Sequence, residues 1–564
     1  MGLLSLVEDR PTPKAVYNWR VYTCAAIASF ASCMIGYDSA FIGTTIALPA
    51  FQKEFKFGQM TASHLALVKE NIVSVYQAGA FFGSIFAYAT AFYLGRKISL
   101  MVWSVLFILG AGLMLGANGT RGLGLIYAGR VLAGMGVGGC SMVVPIYISE
   151  LAPPAVRGRL VGIYELGWQI GGLVGFWINY GLSKTMAQSH KQWLIPFAVQ
   201  LIPAGLLFCG AFWLKESPRW LLSKNKREQA LKNLCWIRRL DCNDLYIVEE
   251  VVSLINYRDV MPDASTDPRK AFLDAAIDQQ AATVGTGFWQ PWKAVGTNRK
   301  VQWRFFLGGM LFLWQNGSGI NAINYYSPTF FKSIGISGTN ASFLTTGIFG
   351  VVKTSLTLVW LFILIDSLGR RKLLMIGAAG GSACMGIIGV YINVTDPNNN
   401  KRTSLGPGGI AAIFFFYLWT AFYTPTWNGT PWVLNSEIFD QNTRSLGQAS
   451  AAAHNWLWNF LISRFTPQMF EAMGPSGCGV YYFFASMMIM SIPFVYFLVP
   501  ETKGIPLESM DRLFEIKPVR KAHAQVHEED AAREEEFRDA ATGAGLSVAK
   551  EKLEHVERTT EHDA

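Results

Sequence analysis

The sequence predicts an all-α membrane protein of twelve transmembrane helices, arranged as two pseudo-symmetric six-helix halves joined by a helical polar linker. Three observations carry this. Of 564 residues, 51% are hydrophobic and only 15% are charged, against about 25% charged in ordinary soluble domains. Twelve stretches approach the roughly 20 apolar residues that a helix needs to cross a hydrocarbon core. Short motifs also recur in the two halves at a nearly constant offset.

The spans are read at 21–48, 72–94, 98–117, 123–148, 159–182 and 193–214, and again at 304–332, 343–366, 373–393, 409–437, 446–470 and 479–499. Between the two sets, 215–303 is rich in Lys, Arg, Asp and Gln and holds no span. The chain thus divides into an N-terminus (1–20), a first half (21–214), a linker (215–303), a second half (304–499) and a charged tail (500–564). Basic residues gather on one side: Arg96 and Lys97, Arg157 and Arg159, Arg370 to Lys372, Arg444, and Lys215 and Arg219 at the linker start. That asymmetry places both termini in the cytoplasm, and the plasma membrane is the expected location. It also accounts for the net charge of +9 without nucleic acid. The first 20 residues lack an apolar core, so no removable signal peptide is expected. None of the eight cysteines forms a CxxC pair and most lie in apolar runs, so neither a metal site nor a disulfide framework is expected.

The repeat is visible in three landmarks. Gly95-Arg96-Lys97 follows span two, and Gly369-Arg370-Arg371 follows span eight, 274 residues later. Ser149-Glu150 and Arg157 close span four; Ser436-Glu437 and Arg444 close span ten with the same spacing, 287 residues on. Glu216 follows span six and Glu501 follows span twelve, 285 residues on. A duplicated six-span unit around a central cavity is the architecture of the major facilitator transporters.

From about Tyr17 to Glu508 the chain resembles the sugar porter family of that superfamily. The matching pieces are Gly36-Tyr37-Asp38, Gly129-Arg130, Pro145 to Glu150 with Arg157-Gly158, Glu216 to Arg219, Gln315 to Asn321, and Pro500 to Gly504. The runs Val7 to Lys14 and Ser39 to Thr45 are similar to the fungal quinate permease branch, itself similar to fungal galacturonate and hexose carriers.

A charge at mid-bilayer costs at least about 2.5–3.5 kcal/mol, so each buried one needs a partner or a task. Asp38 lies deep in span one. In proton-coupled sugar porters an aspartate here pairs with the arginine that matches Arg130, so the resemblance implies that Asp38 and Arg130 couple transport to protons. It likewise implies that Glu150, Arg157, Asp366, Arg370, Glu437 and Arg444 form a charge network that gates the cytoplasmic side. Phe92 stands where the family motif has an acid, so the first half's gate is weakened or rebuilt. Glu165 occupies a position where many sugar porters carry a substrate-binding glutamine. Lys353, in the middle of span eight, is too deep to snorkel and is read as facing the cavity, neutralising Glu165 or a substrate carboxylate. His454 is read as a packing residue.

A polyhydroxylated ring needs uncharged donors and acceptors at several angles, and an aromatic plate for its C–H faces. Gln315, Asn316, Asn321 and Tyr325 in span seven, Trp432 in span ten, and Asn455 and Trp456 in span eleven supply both. Asparagines at 316 and 455 replace two glutamines common in the family. Trp360 and Trp458 are read as interface anchors. The expected function is proton-coupled uptake of quinate or a related sugar acid such as galacturonate by alternating access. Coupled or facilitative transport of neutral hexoses or pentoses is the alternative, and a non-transporting sugar sensor a minor one. No nucleophile–base or metal cluster supports an enzyme. The expected partners are substrate, proton and lipid; no cofactor or nucleic acid is expected, and the carrier is read as a monomer.

Overall fold

The computed structural model describes residues 12–186, 188–242, 244, 246–247, 250, 287–335, 339–364, 368–397, 406–439, 442–503, 505, 510–516, 519, 521–529 and 532. Among these residues there are twelve helical spans. The first six are α1 (Trp19–Ile46), α2 (Ala62–Tyr93), α3 (Arg96–Leu115), α4 (Gly124–Leu151), α5 (Arg157–Thr185) and α6, in two pieces (His190–Val199 and Leu201–Trp213). The second six are α7, also in two pieces (Arg299–Gly317 and Ile320–Ser333), α8 (Thr339–Val359), α9 (Arg370–Thr395), α10 (Pro407–Tyr423, continued by Thr430–Glu437), α11 (Arg444–Ala472) and α12 (Cys478–Leu498).

Two departures from the sequence boundaries have local causes. Helix α2 starts ten residues before the expected position, because a reading of apolarity stops at Lys69 and Glu70 while the backbone continues to Thr61, whose side chain accepts the His64 N–H. Helix α7 starts at Arg299, where Asn298 accepts the Lys300 N–H in the same way. Such caps satisfy the orphan donors of a first turn.

Nine of the described spans are both long and apolar enough to cross a membrane. The other three, α5, α7 and α11, are long but too polar, and they carry Glu165, the α7 amides and Asn455. The shortfall from twelve thus marks the helices whose polar faces turn inward.

Large apolar side chains cover the outside of the bundle: Phe86, Phe212, Phe414 and Phe497 are between 52% and 64% exposed. Patches on that scale require lipid or a partner. Inside, one apolar core fills the first half and reaches Trp432 and Trp456, while a second fills the other half. The linker has its own small core of Trp220, Leu221, Leu222, Ala230, Leu234 and Ile247. It is tied to the first half by Asn18, which donates to the Ile237 carbonyl at 2.8 Å, and by Arg20, which donates to the Trp236 carbonyl at 2.8 Å. No disulfide framework is expected from the sequence; the described residues hold one disulfide. Cys235 and Cys242 are bonded, with Cα atoms 5.6 Å apart, because the helix end at Arg239 turns the chain back on itself. The remaining six cysteines are free.

The halves meet most extensively where α1 packs on α7, α2 on α11 and α5 on α8, with smaller contacts of α4 on α11 and of α10 on α4 and α5. Helix α7 breaks at Gly319, which adopts φ +91°, a left-handed conformation open to glycine. It bends again at Tyr326, two residues before Pro328. Helix α10 widens into a π turn over Thr424–Asn428, around Pro425. The widened turn leaves the carbonyls of Trp427 and Asn428 to accept from Gln315 on α7.

Candidate functional site

Asp38 on α1 and Arg130 on α4 form an ion pair, Arg130 Nη1 donating to Asp38 Oδ1 at 2.5 Å, with both side chains fully excluded from solvent. Arg130 Nε donates to the Ile72 carbonyl at 3.0 Å, and the guanidinium lies 4.3 Å from the centre of the Tyr76 ring. Ser39, next to Asp38, receives the Tyr325 hydroxyl from α7 at 3.5 Å. The pair therefore sits one residue from a contact between the halves.

Beside it lies a narrow crevice, lined among others by Ser39, Trp168, Gln169, Asn324 and Lys353. Glu165 Oε1 accepts Gln169 Nε2 at 2.5 Å and Asn428 Nδ2 at 2.6 Å. Asn428 comes from the widened turn of α10, so this bond crosses between halves. Lys353 Nζ donates to Asn324 Oδ1 at 3.3 Å, and its charge attracts Glu165 from the opposite half.

The predicted amides form a chain. Asn321 donates to Asn316 at 2.6 Å, and Asn316 donates to Asn455 at 3.0 Å. Gln315 donates to the carbonyls of Trp427 and Asn428 at 3.0 and 2.6 Å, bracing α7 against the irregular part of α10. Trp432 packs edge-on against Phe312 and against Tyr164 of the other half. Trp456 stacks on Trp168 at 6.3 Å and donates to Ser141 at 2.9 Å. Of the expected substrate residues, only Lys353 lines the crevice; the others are engaged in the contacts just described. Trp168, Gln169 and Asn428 belong to the site and were not anticipated. Helical spacing could have found Gln169, four residues beyond Glu165.

On the face where the linker packs, the repeat becomes geometry. Gly95 and Gly369 adopt φ +89° and +81°, and a Cβ at either would strike a carboxylate, Glu216 or Glu501. Glu216 accepts the backbone N–H of Arg96 at 2.8 Å and of Lys97 at 3.1 Å; Glu501 accepts those of Arg370 at 2.9 Å and Arg371 at 3.0 Å. Each carboxylate thus caps the start of a span, where the helix dipole is positive. Burial nevertheless pushes the Glu216 carboxyl up, its N–H partners opposing the shift. Arg96 pairs with Glu150 at 2.8 Å and Arg370 with Glu437 at 3.2 Å. Arg96 also reaches Ser445 of the second half at 3.2 Å. Glu437 receives the Thr502 hydroxyl at 2.7 Å. Arg157 and Arg444 stand at the starts of α5 and α11; Asp366 lies outside the described residues. Phe92 gives this end of the first half an aromatic surface: Lys224 Nζ sits 3.8 Å from its ring centre, and Phe288 meets it edge-on at 5.4 Å.

On the opposite face Glu70 of α2 pairs with Arg464 of α11, and Tyr326 donates to the Ser463 carbonyl at 3.1 Å. Contacts between halves are therefore made on both sides of the crevice.

Residues 24–514 match the family model described as sugar (and other) transporter. The chain belongs to the sugar transporter family. Among relatives, it is 69% identical over 526 residues to an MFS-type transporter, qa-x, of Neurospora crassa, covering 93% of this chain and 94% of that one. It is equally similar to a protein of Neurospora terricola named quinate permease, with the same coverage. Against a probable quinate permease of Aspergillus niger it is 62% identical over 563 residues, 99% of each chain. Among solved structures, the proton:xylose symporter XylE bound to 6-bromo-6-deoxy-D-glucose superimposes with a TM-score of 0.71 at 26% identity, covering 88% of this chain and 99% of that one. The major facilitator fold is thereby established.

Within this sugar transporter two other sequence readings are resolved. His454 packs on α7, its ring against Gly309 and Nδ1 bonded to the Ser450 carbonyl oxygen at 2.8 Å, in line with a packing role. Trp360 is not an interface anchor: it is 1% exposed, wedged against Gly429 of α10. Trp458 packs partly buried against the first half's core.

Proposed function

We propose that this transporter carries quinate, or a closely related cyclic polyhydroxy acid, into the cell together with protons. Lys353 carries the reading. A lysine buried in the middle of a span, lining a crevice with the amides Gln169 and Asn324 and with Trp168, is an expensive group suited to receive a carboxylate. The relatives named quinate permease support the same choice. The amides alone would serve a neutral hexose or pentose equally well; Lys353 is what separates the two.

In the cycle, Asp38 releases Arg130 when protonated and the loaded carrier reorients. Loss of the proton re-forms the pair and lets the empty carrier return. The paired charges at Arg96–Glu150 and Arg370–Glu437, with Arg157, Arg444 and Asp366, latch the linker face, which is cytoplasmic. Gln315, Asn316, Asn321, Tyr325, Trp432, Asn455 and Trp456 shape the wall that meets the ring. The protein acts as a monomer in the plasma membrane, is a carrier and not an enzyme, and its five segments follow the boundaries 1–20, 21–214, 215–303, 304–499 and 500–564.

The test is uptake in yeast lacking its own carriers, with labelled quinate, galacturonate, glucose, xylose and galactose at several external pH values. Quinate uptake that rises on acidification supports the reading. Uptake of a neutral sugar with no response to quinate overturns it.

A further inference from the structure

Glu165 lies just behind the crevice, its Oε1 held by the lining Gln169 at 2.5 Å, and is a second charge that the coupling by Asp38 does not use. It belongs to the first half and Lys353 to the second. Both are at least 95% buried, and their charges attract. The direct hydrogen bonds of Glu165 go to neutral amides, Gln169 and Asn428. The ammonium's own bond goes to the neutral Asn324. In the empty carrier one anion and one cation thus balance, each already supported by amides that need not move. The other titratable groups acting on Glu165 are the phenols of Tyr164 on its own helix and Tyr423 at the end of α10, which stay neutral in the physiological range.

An acid substrate upsets that balance. Its carboxylate approaches Lys353 and leaves two anions facing one cation in a buried site, where an uncompensated charge is heavily penalised. Expelling the substrate or protonating an acid are the two remedies; Asp38 is engaged by Arg130, which leaves Glu165, bonded to the crevice-lining Gln169.

We propose that Glu165 is a second proton-binding site: the substrate carboxylate replaces it as the counter-charge of Lys353, and Glu165 takes up one proton with each substrate anion. No covalent bond of the substrate changes. The proton comes from the side on which the substrate binds and leaves with it on the other side. The neutral acid keeps its carbonyl oxygen for Gln169 or Asn428 and offers its O–H to a ring hydroxyl. With the proton on Asp38, two protons accompany each acid anion, and each cycle moves one net positive charge inward. This rests on the reading that the substrate is a carboxylate.

The experiment uses the full chain in proteoliposomes with labelled quinate, and finds the pH gradient and membrane potential at which net flux vanishes. Wild type is expected to couple two protons per quinate, with uptake stimulated by an inside-negative potential. Glu165→Gln keeps the amide contacts but cannot bind a proton; its ratio is expected to fall to one and its dependence on potential to disappear. The wild-type ratio does not depend on the variant folding: a value of one, with uptake indifferent to potential, overturns the proposal. So does a Glu165→Gln carrier that retains a ratio of two. Robust quinate uptake in either case leaves the substrate reading standing. Absence of uptake of any ring acid by wild type overturns that reading and the proposal with it.

Discussion

Asp38 and Lys353 are both charges in a medium that penalises charge, yet their substitutions separate. Asparagine at 38 mimics the protonated acid, so the loaded carrier still reorients while the empty one cannot re-form the pair with Arg130. Asp38→Asn is expected to abolish concentrative quinate uptake and to spare exchange of internal for external quinate, measured by counterflow. Lys353→Met removes the proposed carboxylate partner. The loss of one member of a buried charge pair costs at least about 2 kcal/mol, so the KM for quinate should rise at least about 30-fold at unchanged protein abundance. Both residues were legible in the sequence, because an ionisable side chain inside a span is rare and stands out. Trp168, Gln169 and Asn428 were not. Amides and tryptophans are common in helices, and Asn428 reaches Glu165 only because α10 widens at Thr424–Asn428.

At the scale of elements, the duplicated Gly-Arg motifs and the paired glutamates were visible as landmarks at one offset, whereas their joint task was not. Only the folded bundle brings Glu216 to the start of α3 and Glu501 to the start of α9. Gly95→Ala and Gly369→Ala should each destabilise the protein by about 1–3 kcal/mol, the cost of a side chain in the positive-φ extended region that only glycine enters freely, read as a lower melting temperature in detergent. Glu216 adds a pH dependence. Its carboxyl lies above the ordinary value near 4.5 because it is buried, so the folded protein holds that proton to higher pH than the unfolded chain does. The stabilisation is complete below the unfolded value and is lost as pH rises through the folded one. The melting temperature should therefore fall as pH rises across the mildly acidic range, and Glu216→Gln should flatten that slope. Helix boundaries were legible where apolarity ends at a cap. They were missed at α2, where charge enters the span before the cap is reached.

For the whole molecule, the two-half architecture was readable because lipid imposes span length and the repeat imposes order. What the sequence could not supply is the relation between the halves: Tyr325 against Ser39, Arg96 against Ser445, Asn428 against Glu165. These contacts join residues far apart in the chain and depend on how the two bundles meet. They bring the Asp38–Arg130 pair, Gln169, Asn324 and Lys353 to one crevice, and the central claim built on that arrangement is coupled carriage of a ring acid. Its most direct test is the purified chain in proteoliposomes with an imposed pH gradient, acidic outside. The account predicts accumulation of labelled quinate above its equilibrium level, collapse of that accumulation on adding a protonophore, and no comparable accumulation of glucose. Accumulation of glucose that excess quinate does not inhibit, with quinate itself excluded, would contradict it.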